Sequence, residues 1–390
     1  MIFSNIISKN EIDKRKQLIR DTVDYKLESN DHIPIYIANF PNSKKYTLTD
    51  VLTNKEIQLE YELEKIESTL NRVKDDYIPS IKSDLGFIII QSIFGMVPVY
   101  SNDKKPAKYP KQAPYVDPGT KPIKSIEDMY KFKRPDDIFS MGLVPQALER
   151  VNYIMEQTNY EIPTSNLDLG NGLLMAYELT ETNLFFCTMK DDPKAIKNVS
   201  DILTDVIIDL EDKVIEIAGG IDNTTSTEWD EKWYPEGKKC YISSETQSLY
   251  NPKDYPLFDL PYCNRQFQHF GPGFIHNCGP QTALDYFWAH DPKPYGITCE
   301  YYSCINDYER IKDVFSKNHK AVLLVEFSNM KDSDEMVRAF RNLMKILAPK
   351  IIAIPWMWIG PVHSCQEEPE IVYEKLLRVS KEYIKRMKEG

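Results

Sequence analysis

Between residues 192 and 220 the apolar positions recur every three or four residues, at Ile196, Val199, Leu203, Ile207, Leu210, Val214 and Ile217. That is the stripe of a helix burying one face. Asp192-Pro193 provide an N-cap and a first-turn proline, and Gly219-Gly220 end the helix. From residue 239 the pattern changes to short, unalternating apolar runs separated by amphipathic stretches. Strands are predicted at 239–243, 273–278, 295–301, 321–327 and 350–358, and IPIYIAN (33–39) predicts an earlier one. Between and after the later strands, helices are predicted at 252–270 (with or without a turn), 282–290, 305–317, 333–348 and 370–388. Strands joined by helical crossovers imply a parallel sheet covered on both faces, which is why the runs do not alternate.

Two α/β architectures fit this order, a doubly wound open sheet and a closed (β/α)8 TIM barrel. No G-x-G-x-x-G follows a strand and no G-x-x-x-x-G-K-[ST] occurs, so the simplest dinucleotide and P-loop arguments are missing. Four strand–helix units in the second half, closed by a terminal helix, favour the barrel. The first half is less regular. LGFIIIQSIFGMVPVY (85–100) reads as buried helix then strand, being too short and too interrupted by Gly86, Gln91, Gly95 and Pro98 to span a bilayer. The Pro- and Lys-rich stretch 99–122 reads as a long surface excursion beside the active mouth.

Composition narrows the function classes. With 48 basic and 59 acidic residues the net charge is −11, and no basic block offsets it, which argues against nucleic-acid binding. Seven scattered cysteines suit reduced thiols better than a disulfide framework. The start, MIFSNIISKNEIDKRK, places apolar residues before charge, the reverse of a signal peptide. These features predict a cytoplasmic protein without membrane attachment.

The candidate chemistry lies in GFIHNCGP (273–280). His276 and Cys278, two residues apart at the carboxyl end of a short strand, point to one side, where many barrel enzymes do their chemistry. Alone, the pair reads as a packed thiol beside a hydrogen-bonded imidazole, because a metal needs three or four ligands. The neighbouring strands change that balance. YGITCEY delivers Cys299 or Glu300, and the last strand is followed by PVHSC, which brings His363 and Cys365 to the same rim. Sulfur, nitrogen and carboxylate donors thus converge from three strands, a set suited to zinc.

The runs PIKSIEDMYKFKRPDD (122–137), NLDLGNGLLMAYELTETNLFFCTMKDDPKAI (166–196) and LFDLPYCNRQFQHFGPGFIHNCGP (257–280), with the closing strand and helix, resemble the uroporphyrinogen decarboxylase superfamily. Within it they resemble the zinc-dependent corrinoid methyltransferases. The resemblance implies a (β/α)8 barrel over residues 31–390 behind an N-terminal helical extension, residues 1–30. The chain is also distantly similar to cobalamin-independent methionine synthase, whose zinc is held by His-x-Cys, a Glu about twenty residues on, and a far Cys. Carried over, these motifs imply His276, Cys278 and Cys365 as metal ligands and Glu300 as a carboxylate that either binds the metal or faces it. In the corrinoid enzymes the final Cys directly follows the last strand. Here WIGPVHS intervenes, which leaves His363 as a substitute ligand.

The same resemblance places Asp168 with Glu300 as catalytic carboxylates. Asn166 and Asn171 fall in the loop after the third strand, where substrate contact and turn-plus-N-cap duty are both open. Glu245 ends another strand as a candidate substrate-side or outer carboxylate, with a plain surface Glu as the commoner alternative. Trp356 and Trp358 read as barrel core, one of them able to wall a pocket. Cys187 and Cys263 read as helix packing, and His269 and His290 as helix-end caps.

Zinc chemistry of this kind lowers the pKa of a thiol or polarises a leaving heteroatom. The implied reaction moves a methyl group between a corrinoid and a small thiol or methylated molecule. No D-x-H-x-x-G occurs, so the corrinoid would arrive on a separate partner protein. The alternatives are a decarboxylase or lyase on the same barrel, and a non-catalytic corrinoid- or tetrapyrrole-binding protein. Against the decarboxylase stands HIPIYIANFPNSKKY (32–46), which has no Arg where that branch carries the Arg-rich segment that holds its polycarboxylate substrate.

Overall fold

The computed structural model describes residues 7–40, 45–83, 85–100, 114–317, 320–360 and 363–389. Its strands, in chain order, are β1 (Tyr36–Asn39), β2 (Pro98–Val99), β3 (Tyr115–Val116), β4 (Cys240–Ser243), β5 (Gly273–His276), β6 (Gly296–Glu300), β7 (Val322–Glu326) and β8 (Ile352–Ile359). Six of them form one parallel sheet in the order β1–β8–β7–β6–β5–β4, while β2 and β3 pair antiparallel on their own. From β4 onward, helices return the chain after most strands: Tyr255–Phe258 with Leu260–Phe270, then Tyr308–Phe315, Ser333–Leu347 and finally Pro369–Glu389. The strands are buried along almost their whole length, as unalternating runs require.

The helix starting at Pro193 runs to Ile217 with Asp192 at the N-cap position, but the Asp192 carboxylate accepts from the Tyr130 hydroxyl at 3.0 Å rather than capping the helix. Ile196, Val199, Leu203, Ile207, Leu210 and Val214 are buried. The stretch 282–290 departs from the expected α-helix and forms a 3-10 turn at Leu284–Ala289. Phe287 and Trp288, which lose rotamer freedom in an α-helix, instead stack against Phe315, with ring centroids 4.5 and 6.0 Å apart. Glycine permits the tight start of two strands. A Cβ on Gly273 would lie 1.6 Å from the Cys240 carbonyl oxygen, and one on Gly296 2.0 Å from that of Val322.

At the two edges of the sheet the ladder changes character. On β1 the outer N–H groups donate to side chains: Ile35 to Asp76 Oδ2 (2.9 Å), Ile37 to Asp75 Oδ2 (2.8 Å) and Asn39 to Thr69 Oγ1 (3.0 Å). Beyond β4, Thr227 N donates to Lys239 O and Asn166 N to Glu228 O, both at 3.0 Å. Isolated parallel bridges then join Thr224 to Thr164 and Thr164 to Ile81. Among the described residues the named strands therefore form a six-stranded sheet with bridged edges, and no unbroken eight-stranded ladder is formed.

The N-terminal segment carries a helix, Lys9–Val23, capped by Ser8. Ile19 and Val23 belong to the same buried core as the sheet. Of the expected surface excursion, residues 101–113 lie outside the described residues; the rest supplies β3 and a 3-10 turn at Pro118–Thr120. No helix among the described residues is long and apolar enough to cross a membrane.

Candidate metal centre

Strand β5 ends at His276, which is buried, with Ser243 and Thr298 as its register partners on β4 and β6. Its ring is held on both sides. Tyr241 stacks on it at 5.6 Å and 22°, and Trp229 meets it edge-on at 5.6 Å and 84°. Nδ1 lies 2.6 Å from Thr298 Oγ1, itself 3.0 Å from the Tyr241 hydroxyl. The other nitrogen, Nε2, is 3.1 Å from Cys278 Sγ and 3.1 Å from Glu245 Oε1. Glu245 also accepts from the Cys278 N–H through Oε2 at 2.9 Å, so the turn after β4 fixes the turn after β5. Glu245, His276 and Cys278 each place a ligand atom within 4.8 Å of the others.

The electrostatics of the trio are those of groups sharing a proton. Burial works to raise the Glu245 carboxyl, but His276 and the hydrogen bonds from Cys278 together outweigh it and hold it below the usual range. Burial likewise disfavours a charged His276, yet Cys278 and Glu245 raise it well above an ordinary imidazole. Burial pushes the Cys278 thiol up, with His276 opposing. A cation bound here would have to displace that proton, since metal ligands bind deprotonated.

The other sequence candidates lie apart from this trio. Glu300 ends β6 with Oε2 accepting from Ser303 N at 2.7 Å, and its buried Oε1 has no hydrogen-bond partner. Cys365 is buried in the main core, and burial raises its thiol while a backbone contact with Glu367 lowers it. His363 packs on Phe40 with ring centroids 4.5 Å apart; burial pushes its imidazole down to about 4. Asp168 faces a cavity of about 150 Å³ shared with His363 and Trp358.

Asn166 and Asn171 are both engaged with the protein. Asn166 Oδ1 accepts from Leu167 N at 2.7 Å, and its Nδ2 reaches the Glu211 carbonyl at 3.3 Å. Asn171 caps the helix Gly172–Leu179 by accepting from Leu174 N at 2.8 Å, and donates to Asp259 at 2.6 Å. Two further readings change. Cys187 is exposed rather than packed. His290 caps no carbonyl; it is buried between Tyr255 and Asn264, 3.0 Å from each.

Sequence reasoning missed three residues around the trio: Thr298, Trp229 and Glu228. Glu228 accepts from the Ser243 hydroxyl at 2.7 Å, and burial, offset in part by that bond, pushes its carboxyl up to about 8. Thr298 was legible in YGITCEY, two residues before Glu300 on the same strand face. Trp229 and Glu228 sit in an irregular stretch whose pattern carries no such signal.

No family model matches this sequence, and no curated protein matches it. Among solved structures the fold is similar to that of a methyltransferase from Methanosarcina mazei, with a TM-score of 0.63 over 94% of this chain and 98% of that one, at 15% identity.

Proposed function

We propose that this chain is a zinc-dependent methyltransferase that moves a methyl group between a corrinoid, carried on a separate partner protein, and a small thiol or methylated molecule. The observation that carries this reading is the convergence of Glu245, His276 and Cys278 at the carboxyl ends of β4 and β5. It is supported by a fold similar to that of a methyltransferase. The sheet is proposed to belong to a (β/α)8 barrel in which the bridged segments at Ile81 and Thr164 stand as further staves.

The donor set fits zinc. Imidazole, thiol and carboxylate are its usual ligands, and atoms around a tetrahedral zinc lie about 3.5 Å apart. The two separations of 3.1 Å from His276 Nε2 are close to that value. When bound, zinc would supply Lewis acidity toward a thiol or a leaving heteroatom. Thr298 fixes the imidazole so that Nε2 faces Cys278 and Glu245, with Tyr241 stacked on the ring and Trp229 edge-on to it. Glu245 both offers an oxygen and holds the Cys278 backbone in place. Cys365, from beyond β8, is proposed as a further ligand, Glu300 on β6 as a carboxylate that faces the site without holding the metal, and Asp168 as a group on the substrate side.

The test is methyl transfer from methylcobalamin to a small alkanethiol, in which a cobalt–carbon bond breaks, a sulfur–carbon bond forms and the thiol proton is released. Methyl thioether detected by mass spectrometry with wild-type protein, and lost in His276→Ala, supports the assignment. Absence of thioether with zinc-replete protein, using either this donor or a methylated corrinoid protein, contradicts it.

A further inference from the structure

Away from the trio, the cavity of about 150 Å³ lies between the helices Leu48–Thr53 and Lys55–Leu70 and the end of β8. Its wall is mostly apolar and aromatic, including Phe40, Leu48, Tyr61, Phe87 and Trp358. A void of this size takes up a single six-membered ring such as benzene.

Of the charges in the wall, Lys65, Glu62 and Glu231 answer one another, and Lys82 and Asp168 add one of each sign. Lys65 Nζ lies 2.7 Å from Glu62 and 2.5 Å from Glu231. Glu231 also accepts from the Trp358 indole at 2.9 Å. Lys82 sits over the Trp229 ring, 5.0 Å from its centroid. Among the described residues the wall offers a carboxylate no guanidinium fork, and a cation would meet Lys65 already placed over Phe40, 5.5 Å from the ring centroid. Among the described residues of the wall, His363 Nε2 is buried without a hydrogen-bond partner, a cost that a ligand group can relieve. A hydroxyl both donates and accepts, so it suits either tautomer of that ring.

We infer that this cavity binds a neutral, ring-sized small molecule bearing one hydroxyl, a phenol in chemical class, with its ring against Phe40 and Trp358 and its hydroxyl on His363 Nε2. The inference stands on the cavity and does not depend on the proposed metal chemistry. Trp229 nevertheless links the two places, since its ring carries Lys82 at one face and abuts His276.

The experiment is calorimetric titration of the full chain with phenol, benzene, benzoate and benzylamine, before and after treatment with a zinc chelator. Phenol is expected to bind once per chain, with benzoate and benzylamine at least about tenfold weaker because each buries an unpaired charge. His363→Leu is expected to weaken phenol roughly fivefold, the worth of one neutral hydrogen bond, while leaving benzene unchanged; Leu48→Trp is expected to abolish both. Tighter binding of either charged ring, or no saturable binding of phenol to wild-type protein, overturns the inference without recourse to any variant. Phenol binding that persists in chelator-treated or naturally zinc-free protein supports the cavity assignment even where the methyltransferase reading fails.

Discussion

His276 Nδ1 lies 2.6 Å from the hydroxyl of Thr298, its register partner on the adjacent strand. This contact sets which nitrogen of the ring is left for Cys278 and Glu245. Partners of this kind fix the orientation and basicity of a metal-binding imidazole. Thr298→Val keeps the β-branched shape and removes the hydroxyl. Zinc affinity is expected to fall about 10- to 100-fold, measured by competition with a chromophoric chelator; unchanged affinity would mean that stacking on Tyr241 alone orients the ring.

Two carboxylates at strand ends compete for the role of oxygen ligand. Glu245 touches both His276 and Cys278, whereas Glu300 turns back onto Ser303 N. Glu245→Gln is therefore expected to reduce bound zinc, and Glu300→Gln to retain it. Elemental analysis of the two variants decides the matter, and the reverse ranking would restore the carboxylate spacing of the methionine synthase resemblance.

Lys65 is a fully buried cation between Glu62 and Glu231. Replacing it with Met leaves two carboxylates facing each other out of water. Breaking such a buried network by removing one partner costs about 3–5 kcal/mol. Urea denaturation of Lys65→Met should show a loss of that order, and a loss below about 1 kcal/mol would indicate that water reaches the pair.

A pH effect is expected far from the metal centre. His32 Nε2 sits 3.1 Å from both oxygens of Asp76, and Nδ1 beside Asp31. Burial works against the imidazolium, but Asp76 and Asp31 prevail and raise it to about 9. The folded pKa exceeds that of the unfolded chain, so this stabilisation is complete below about pH 6.5 and is lost as pH rises through about 9. After discounting for partial exposure, about 1–2 kcal/mol is at stake. Asp75, whose carboxyl burial pushes up to about 8, gives a similar loss at lower pH, so the readout is the difference between wild type and His32→Gln. A difference that grows with pH would contradict the sign.

Much of the sheet was legible in the sequence because strands buried on both faces leave compact apolar runs. The segments at 239–243, 273–278, 295–301 and 321–327 each contain a strand trimmed at one or both ends, and that at 350–358 starts two residues later and runs on to Ile359. The sheet edges were not legible, because Asp75, Asp76 and Thr69 complete β1 through side chains, and side-chain partners far along the chain leave no periodic trace. In the site, His276 and Cys278 announced themselves by type and spacing. Glu245 was read as an outer carboxylate and lies instead against both, because the 3-10 turn Glu245–Ser248 carries it over the end of β5. Cys365, implied by a resemblance in spacing along the chain, is buried in the core, and its sulfur is not among the three ligand atoms that lie within 4.8 Å of one another.

The most direct measurement of the central claim is the zinc content of the purified full chain by elemental analysis, for wild type and Cys278→Ser. About one zinc per chain in wild type, lost in the variant, is the expected result, since a tetrahedral site depends on each of its few ligands. No zinc in wild type, even after incubation with zinc and removal of the excess, would contradict the account and leave Glu245, His276 and Cys278 as a hydrogen-bonded strand end.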